Sequence, residues 1–319
     1  MPNLQKKSLR VVILSHNRPI FLKECIDSVI GSIKQITADI SCSIEISENS
    51  SDDLCYKLIK RLYPEIVVLC RNPILTPHEH FTAVINETKQ DYLVMFHDDD
   101  LMTAEFLPSL YEHIEANPDL TAVASNARKF SHLKLTNDLF LSKKHGVKII
   151  NSKGGLLDSY FRYGIRGMAP FPSYMYRVNY IKGLSLVPEE GGKYADVAFL
   201  LKVLNRGAFL WDCRVLMQYR IHEQSDTATV KFSDYIKLKN HLKNNYLNDS
   251  DSLRHSIRDL QVSIVRLALF RYSLHPNARI YSNRIKLLKI IYVNLIINTI
   301  FNDPKKIIYY MHRLIEKNF

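Results

Sequence analysis

Over the first hundred residues, short apolar runs rich in Val and Ile alternate with longer segments whose apolar positions recur at helical spacing. That alternation is the pattern of strand–helix units that build a parallel sheet. Strands are predicted over residues 9–14, 42–47, 66–70 and 92–96. Between the first two, residues 20–33 carry Phe21, Leu22, Cys25, Ile26, Val29, Ile30 and Ile33 at helical spacing, and Pro19 stands where it opens a helix. Residues 52–62 and 79–88 read as the next two helices. Beyond Leu101 the pattern predicts a helix to about Glu115 and then a strand over 120–130. Residues from about 151 to 220 mix Gly and Pro turns with apolar strands, among them 210–216, and one helix over 194–204. From about Lys231 onward the chain reads as helical and is nearly free of glycine, and this shift marks the expected boundary.

Composition changes the picture in two places. The chain has 319 residues and is 46% hydrophobic, enough for one large core or two modest ones. Its net charge of +11 is concentrated at one end: residues 231–319 contain 16 Lys and Arg against 6 Asp and Glu. The five cysteines (Cys25, Cys42, Cys55, Cys70, Cys213) are odd in number and lack zinc or disulfide-framework spacing, which fits a reducing compartment. No signal peptide is expected, because the apolar run at 11–14 has only a strand's length and is closed by Ser15, His16, Asn17, Arg18 and Pro19. No transmembrane helix is expected either, since the most membrane-like stretch, 290–301, falls short of the roughly 20 residues needed to span and is interrupted by Asn294 and Asn298.

In parallel sheets ligands bind beyond the carboxyl ends of the strands. Three polar sequences occupy those places: Ser15-His16-Asn17-Arg18, Glu48-Asn49-Ser50-Ser51-Asp52 and His97-Asp98-Asp99-Asp100. Three consecutive aspartates at the end of a buried strand repel one another unless a cation neutralises them. A hard divalent ion, Mg2+ or Mn2+, suits such a site, because it takes one or two carboxylates and fills its other positions with water and phosphate oxygens. The alternative is that the aspartates cap the following helix. His78 and His80 have an HxH spacing without a third ligand nearby, and a loop-to-helix junction accounts for them.

Together, residues 11–19, 44–52 and 92–100 resemble the family 2 glycosyltransferases of GT-A fold, in order and spacing, and the likeness extends over about the first 225 residues. The chain departs from the usual family pattern at Ser15-His16, at Glu48, and at His97, where the commonest acidic motif begins with Asp. The resemblance implies an α/β fold of GT-A type, a Rossmann-like, mostly parallel sheet flanked by helices, with a C-terminal helical extension. It implies a catalytic domain over 1–230, with a nucleotide-binding half to about 130 and an acceptor half over 131–230, followed by a basic helical region over 231–319.

The activity so implied is transfer of a sugar from a nucleotide diphosphate, a UDP-sugar by family habit, to a hydroxyl of a saccharide or lipid-linked saccharide. Cell-surface polysaccharide assembly of the O-antigen type, in the cytoplasm at the inner face of the plasma membrane, is the expected setting. Ser15, His16, Asn17, Arg18 and Glu48 would hold the nucleotide together with Asp98 and Asp99. Asp98, Asp99, Asp100 and His222 would hold Mg2+ or Mn2+. Asp196, in Gly191-Gly192-Lys193-Tyr194-Ala195-Asp196, matches the family's catalytic base for an inverting displacement, with Ala195 where a Glu usually stands. From the residues alone Asp196 reads first as a helix cap, and only the resemblance favours the base; His222, in Tyr219-Arg220-Ile221-His222, reads from the residues as an ordinary packed or surface histidine.

Residues 284–301 combine Arg284, Lys286 and Lys289 with an apolar surface, which suits either peripheral contact with an anionic membrane or packing on the catalytic domain or on a second copy of the chain in a homo-oligomer. A nucleotidyltransferase would carry a glycine-rich phosphate loop after the first strand, which this chain lacks. Nucleic acid is not an expected partner, because the basic residues accompany no DNA- or RNA-reading motif.

Overall fold

The computed structural model of the chain describes residues 6–246, apart from 38, 132–133, 143–144, 162–166 and 223–230, and beyond them 253–254, 256–258, 260–262, 265, 289 and 291–293. The predicted amphipathic segment 284–301 lies almost wholly outside the described residues.

The first half is built as β1 (Lys7–Ser15), α1 (Pro19–Ile33), β2 (Ile40–Glu48), α2 (Leu54–Leu62), β3 (Val67–Cys70), α3 (Pro77–Glu87) and β4 (Tyr92–His97). Then come β5 (Leu101–Met102), α4 (Phe106–Ala116), β6 (Leu120–Ser131), β7 (Lys134–Leu139), β8 (Val147–Ile150) and α5 (Lys153–Phe161). The chain continues through β9 (Tyr174–Arg177), α6 (Val178–Ile181), α7 (Pro188–Gly191), α8 (Ala195–Leu204), β10 (Ala208–Arg220) and α9 (Phe232–Tyr246). These strands form one sheet in the order β3-β2-β1-β4-β9-β6-β10-β5, with β7 on β6 and β8 on β10.

β1, β2, β3 and β4 are parallel. The chain moves from β1 outward to β3 and returns to the other side of β1 with β4, so the crevice at the carboxyl end of β1 is a topological switch point. Register places Ser15 beside Glu48 and Leu14 beside His97. The three polar sequences therefore meet on one edge.

Alternation along β1 divides the core. Leu9, Val11 and Ile13 pack with Leu22, Cys25, Ile26 and Val29 of α1 on one face, and Val12 and Leu14 pack with α3 and α8 on the other. Both faces are covered, which is why β1 reads as a continuous apolar run. Each fully buried aliphatic side chain stabilises the fold by about 1.5–3 kcal/mol.

Two predicted elements take a different form. Leu101 and Met102 belong to no helix; they pair antiparallel with Gln218 and Met217 of β10, and Thr103 N–H donates to Leu216 O at 2.9 Å, which delays the helix to Phe106. The strand predicted over 210–216 extends over Ala208–Arg220, because its partner β6 accompanies it through a bulge near Asp212 and Val215. α9 lies on the second face: Leu238, Leu242 and Tyr246 are buried in the same cluster as Val197, Phe199 and Leu201 of α8. No helix among the described residues is long and apolar enough to cross a membrane.

Candidate active site

The loop after β1 is latched to the loop after β2. Asn17 adopts a left-handed backbone conformation, with φ of 56°, which Asn tolerates better than most residues. Its N–H donates to Ser50 Oγ at 2.7 Å, and its Oδ1 accepts from Ser51 N–H at 2.9 Å. His16 Nδ1–H donates to Asn49 O at 2.8 Å, and the Asn49 side chain exchanges two hydrogen bonds with the Leu75 backbone. Glu48 Oε1 accepts from Ser50 N–H, while Glu48 Oε2 is buried and has no hydrogen-bond partner. A buried acceptor of this kind is costly unless a ligand donor satisfies it.

Asp98, Asp99 and Asp100 are all buried, and each is held differently. Asp98 Oδ2 accepts from His16 N–H at 2.8 Å, and Asp98 Oδ1 lies 2.8 Å from Arg18 Nη2. Burial dominates its titration and, against the opposing pull of Arg18, pushes the carboxyl up to about 7. Asp99 Oδ2 takes both Arg18 Nη1 at 2.5 Å and His222 Nε2 at 2.8 Å. Burial works to raise Asp99, but Arg18, His97 and His222 prevail and hold it below the usual carboxylate range. Asp100 Oδ1 accepts from Arg220 N–H at 2.9 Å. Asp100 Oδ2 is buried without a hydrogen-bond partner, 3.8 Å from His97 Nδ1, and burial together with Asp99 raises this carboxyl well above its ordinary value.

A carboxylate oxygen orphaned in this way asks for a proton or a cation. His97, Asp99 and Asp100 each offer a ligand atom within 4.8 Å of the others, so they fit a divalent ion. Arg220 closes the floor: its guanidinium stacks 4.4 Å from the ring centres of both Phe21 and Phe130, its Nε donates to Asp99 O at 2.7 Å, and it pairs with Glu24.

Two cavities open over this edge. The first, about 190 Å3, is bordered by His16, Arg18, Asn49, His80, His97 and Asp99 among others. His80 is a buried neutral imidazole. Burial, with Arg71 and His16, lowers it to about 4, and Ser47 Oγ–H, itself accepting from Arg71, donates to its Nε2 at 2.7 Å. The second cavity, about 230 Å3, has a largely apolar lining that includes Tyr160, Phe171 and Asp196. Pro77, Phe81, His97 and Tyr219 line both, so the two cavities share a wall. Asp196 stands in the first turn of α8, where its Oδ1 accepts from Val197 N–H at 2.8 Å, and burial pushes its carboxyl up to about 6. The loop before it is tied to α3 by His78, whose Nε2–H donates to Gly192 O at 3.2 Å.

This arrangement of a switch-point cleft, an acidic strand end and a second carboxylate across a shared wall is accompanied by a family match. The model of glycosyl transferase family 2 matches residues 10–168. The chain belongs to glycosyl transferase family 2. Solved structures of TarS from S. aureus share the fold. One TarS chain aligns at a TM-score of 0.55 with 14% identity, over 85% of this chain and 44% of that one, so this chain spans less than half the length of that relative. TarS 1-349 in complex with UDP-GlcNAc aligns at 0.51 with 11% identity, over 81% of each chain. TarS 1-349 in complex with UDP aligns at 0.52 with 10% identity, over 90% of this chain and 88% of that one. No curated protein matches the chain in sequence. The glycosyl transferase is thus of GT-A fold.

The site gathers Ser15, His16, Asn17, Arg18, Glu48, Asp98, Asp99, Asp100 and His222 at one sheet edge, with Asp196 in the adjoining cavity. The close-set donor group comprises His97, Asp99 and Asp100; Asp98 faces Arg18 and the His16 amide, and His222 faces Asp99. The sequence reading treats His97 only as a departure from a motif and assigns Arg220 no role. Only the position of His97 at the end of an apolar strand signalled its place, and nothing local signalled that of Arg220.

Proposed function

We propose that this family 2 glycosyl transferase moves a sugar from a nucleotide diphosphate, a UDP-sugar, to a hydroxyl of a saccharide or lipid-linked saccharide, with inversion and with the help of Mg2+ or Mn2+. The observation that carries the reading is the shared wall. The cleft that offers Glu48, Arg18 and the acidic triplet adjoins a cavity containing a carboxyl raised to about 6. Leaving-group and acceptor chemistry thus have separate, touching compartments. The UDP and UDP-GlcNAc complexes of the TarS fold relatives support the choice of uridine.

In this reading the first loop and Glu48 take the nucleoside, with the orphaned Glu48 Oε2 accepting from its hydroxyl or imide groups. Arg18 faces the diphosphate. His97, Asp99 and Asp100 hold the divalent ion, and Asp98 and His222 complete the acidic network around it. When bound, the ion stabilises charge on the departing diphosphate. Asp196 takes the proton of the acceptor hydroxyl as that oxygen attacks the anomeric carbon from the face opposite the diphosphate. Its raised carboxyl suits the task, being ionised at neutral pH yet more basic than an exposed aspartate. The apolar lining excludes water from the attacking position and presents ring faces to a sugar.

We further infer a role in surface polysaccharide assembly at the inner face of the plasma membrane, with the basic region beyond residue 231 as the contact. The nuclear magnetic resonance spectrum of the product tests the chemistry: inversion at the transferred anomeric carbon is expected, and retained configuration would exclude Asp196 as the base of a single displacement.

A further inference from the structure

Arg18 occupies an unusual place. Its guanidinium bridges two adjacent carboxylates, with Nη2 on Asp98 Oδ1 at 2.8 Å and Nη1 on Asp99 Oδ2 at 2.5 Å. The Asp98 side chain is 0% exposed and that of Asp99 11%, whereas Arg18 is 22% exposed and borders the nucleotide cleft. The cation is thus the face that the acidic loop turns toward the cleft. Asp99 belongs to two sets at once, the pair bridged by Arg18 and the group with His97 and Asp100 that fits a divalent ion.

We propose that Arg18 is the resident counter-cation of the acidic loop and that the divalent ion competes with it for Asp99, so that ion and nucleotide are loaded together rather than in sequence. This rests on reading the site as one for a metal ion and a nucleotide diphosphate. A cation set between two neighbouring buried carboxylates offsets their mutual repulsion. With the cleft empty, Arg18 supplies that charge, and in doing so it weakens the pull on an incoming divalent ion and repels it at short range. A diphosphate changes the balance, because it offers the guanidinium a two-pronged anionic partner in the cleft that Arg18 already borders. The diphosphate then draws Arg18 off Asp99 and ligates the ion there. Coupling between the two ligands is reciprocal.

Arg18 is not what shapes the loop. Asp98 is held by the His16 amide at 2.8 Å, Asp100 by the Arg220 amide at 2.9 Å, and the Asp99 carbonyl by Arg220 Nε at 2.7 Å. None of these bonds involves the Arg18 guanidinium, so its loss is expected to alter the electrostatics of the loop rather than its path.

The test is Mn2+ binding, read by electron paramagnetic resonance, to the full chain alone and with saturating UDP, for wild type, Arg18→Gln and Arg18→Lys, each checked by circular dichroism. Arg18→Gln is expected to tighten Mn2+ binding to the nucleotide-free protein by at least about tenfold and to shrink the enhancement by UDP by a similar factor. Arg18→Lys, whose ammonium cannot span both carboxylates, is expected to fall between the two. Unchanged or weaker Mn2+ binding by nucleotide-free Arg18→Gln, with UDP still promoting Mn2+ binding in wild type, would overturn the counter-cation role and leave the site reading standing. If the Gln variant does not fold, the Lys variant carries the test: Mn2+ binding by nucleotide-free Arg18→Lys no tighter than that of wild type would overturn the counter-cation role. Absence of Mn2+ binding to wild type even with UDP would overturn both.

Discussion

At the scale of single residues, the decisive groups are carboxyls that the fold leaves in surroundings poor in water. Asp196 is pushed up to about 6 by burial, so it accepts a proton only above that pH. The kcat/KM of the wild type is expected to fall below about pH 6, and Asp196→Asn to reduce kcat by about 10²–10⁴ without weakening nucleotide binding; steady-state kinetics across pH and UDP titration check both. Stability moves oppositely. Between the ordinary aspartate value and about 6 the folded chain retains a proton that the unfolded chain has released, so this group's contribution falls as pH rises through that window. Asp196→Asn is therefore expected to melt no lower than wild type at pH 7, and a clearly lower melting temperature would show that the carboxylate is a structural cap. Arg220, buried between two aromatic rings and bonded to Asp99 O, is expected to cost about 1–3 kcal/mol when changed to Ala, measured by urea denaturation, because the Asp99 carbonyl loses its donor and both rings lose their packing partner. Asp98 to Asp100 were legible in the sequence because like charges ending an apolar strand need an explanation. Arg220 was not, since its polar partners Asp99, Asp100 and Glu24 all lie 120 residues or more away in the chain.

Among elements, α8 owes its position to a loop that only glycine can make. Gly192 has φ of 58°, and a Cβ placed there would lie 2.1 Å from Asp234 Oδ1 on α9. Gly192→Ala is expected to destabilise the protein by about 1–3 kcal/mol from backbone strain alone, and more from the clash. Asp234→Ala in the same chain is expected to recover the second part and leave the first; equal melting of the single and double variants would show that the two do not couple. The helices and strands of the first hundred residues were readable because both periodicities are strong there, and α3 even carries a capping box between Thr76 and Glu79. β9 escaped notice. It has four residues, and its pairing with β4 on one side and β6 on the other is set by chain segments far from it in sequence. β5, two residues long, was read as the start of a helix for the same reason: pairing with β10 overrides local propensity.

Across the whole molecule, the composition shift near residue 231 marks a change in charge rather than an edge of the core. Leu238, Leu242 and Tyr246 share a cluster with α8, and losing their burial removes several kcal/mol from a total of about 5–15. A chain ending at residue 230 is expected to lose cooperative unfolding in calorimetry, which also rules it out as a clean test of membrane contact; flotation with anionic vesicles belongs to the full chain, with charge-neutralising changes at Lys286 and Lys289. The central claim is that one edge of the sheet binds a nucleoside diphosphate together with a divalent ion. It is tested most directly by thermal stabilisation of wild type and Asp100→Ala with a panel of nucleoside diphosphates, each with and without Mn2+. A Mn2+-dependent rise in melting temperature with UDP, lost in Asp100→Ala, is the expected result. No stabilisation by any nucleoside diphosphate would contradict the account and leave only the fold standing.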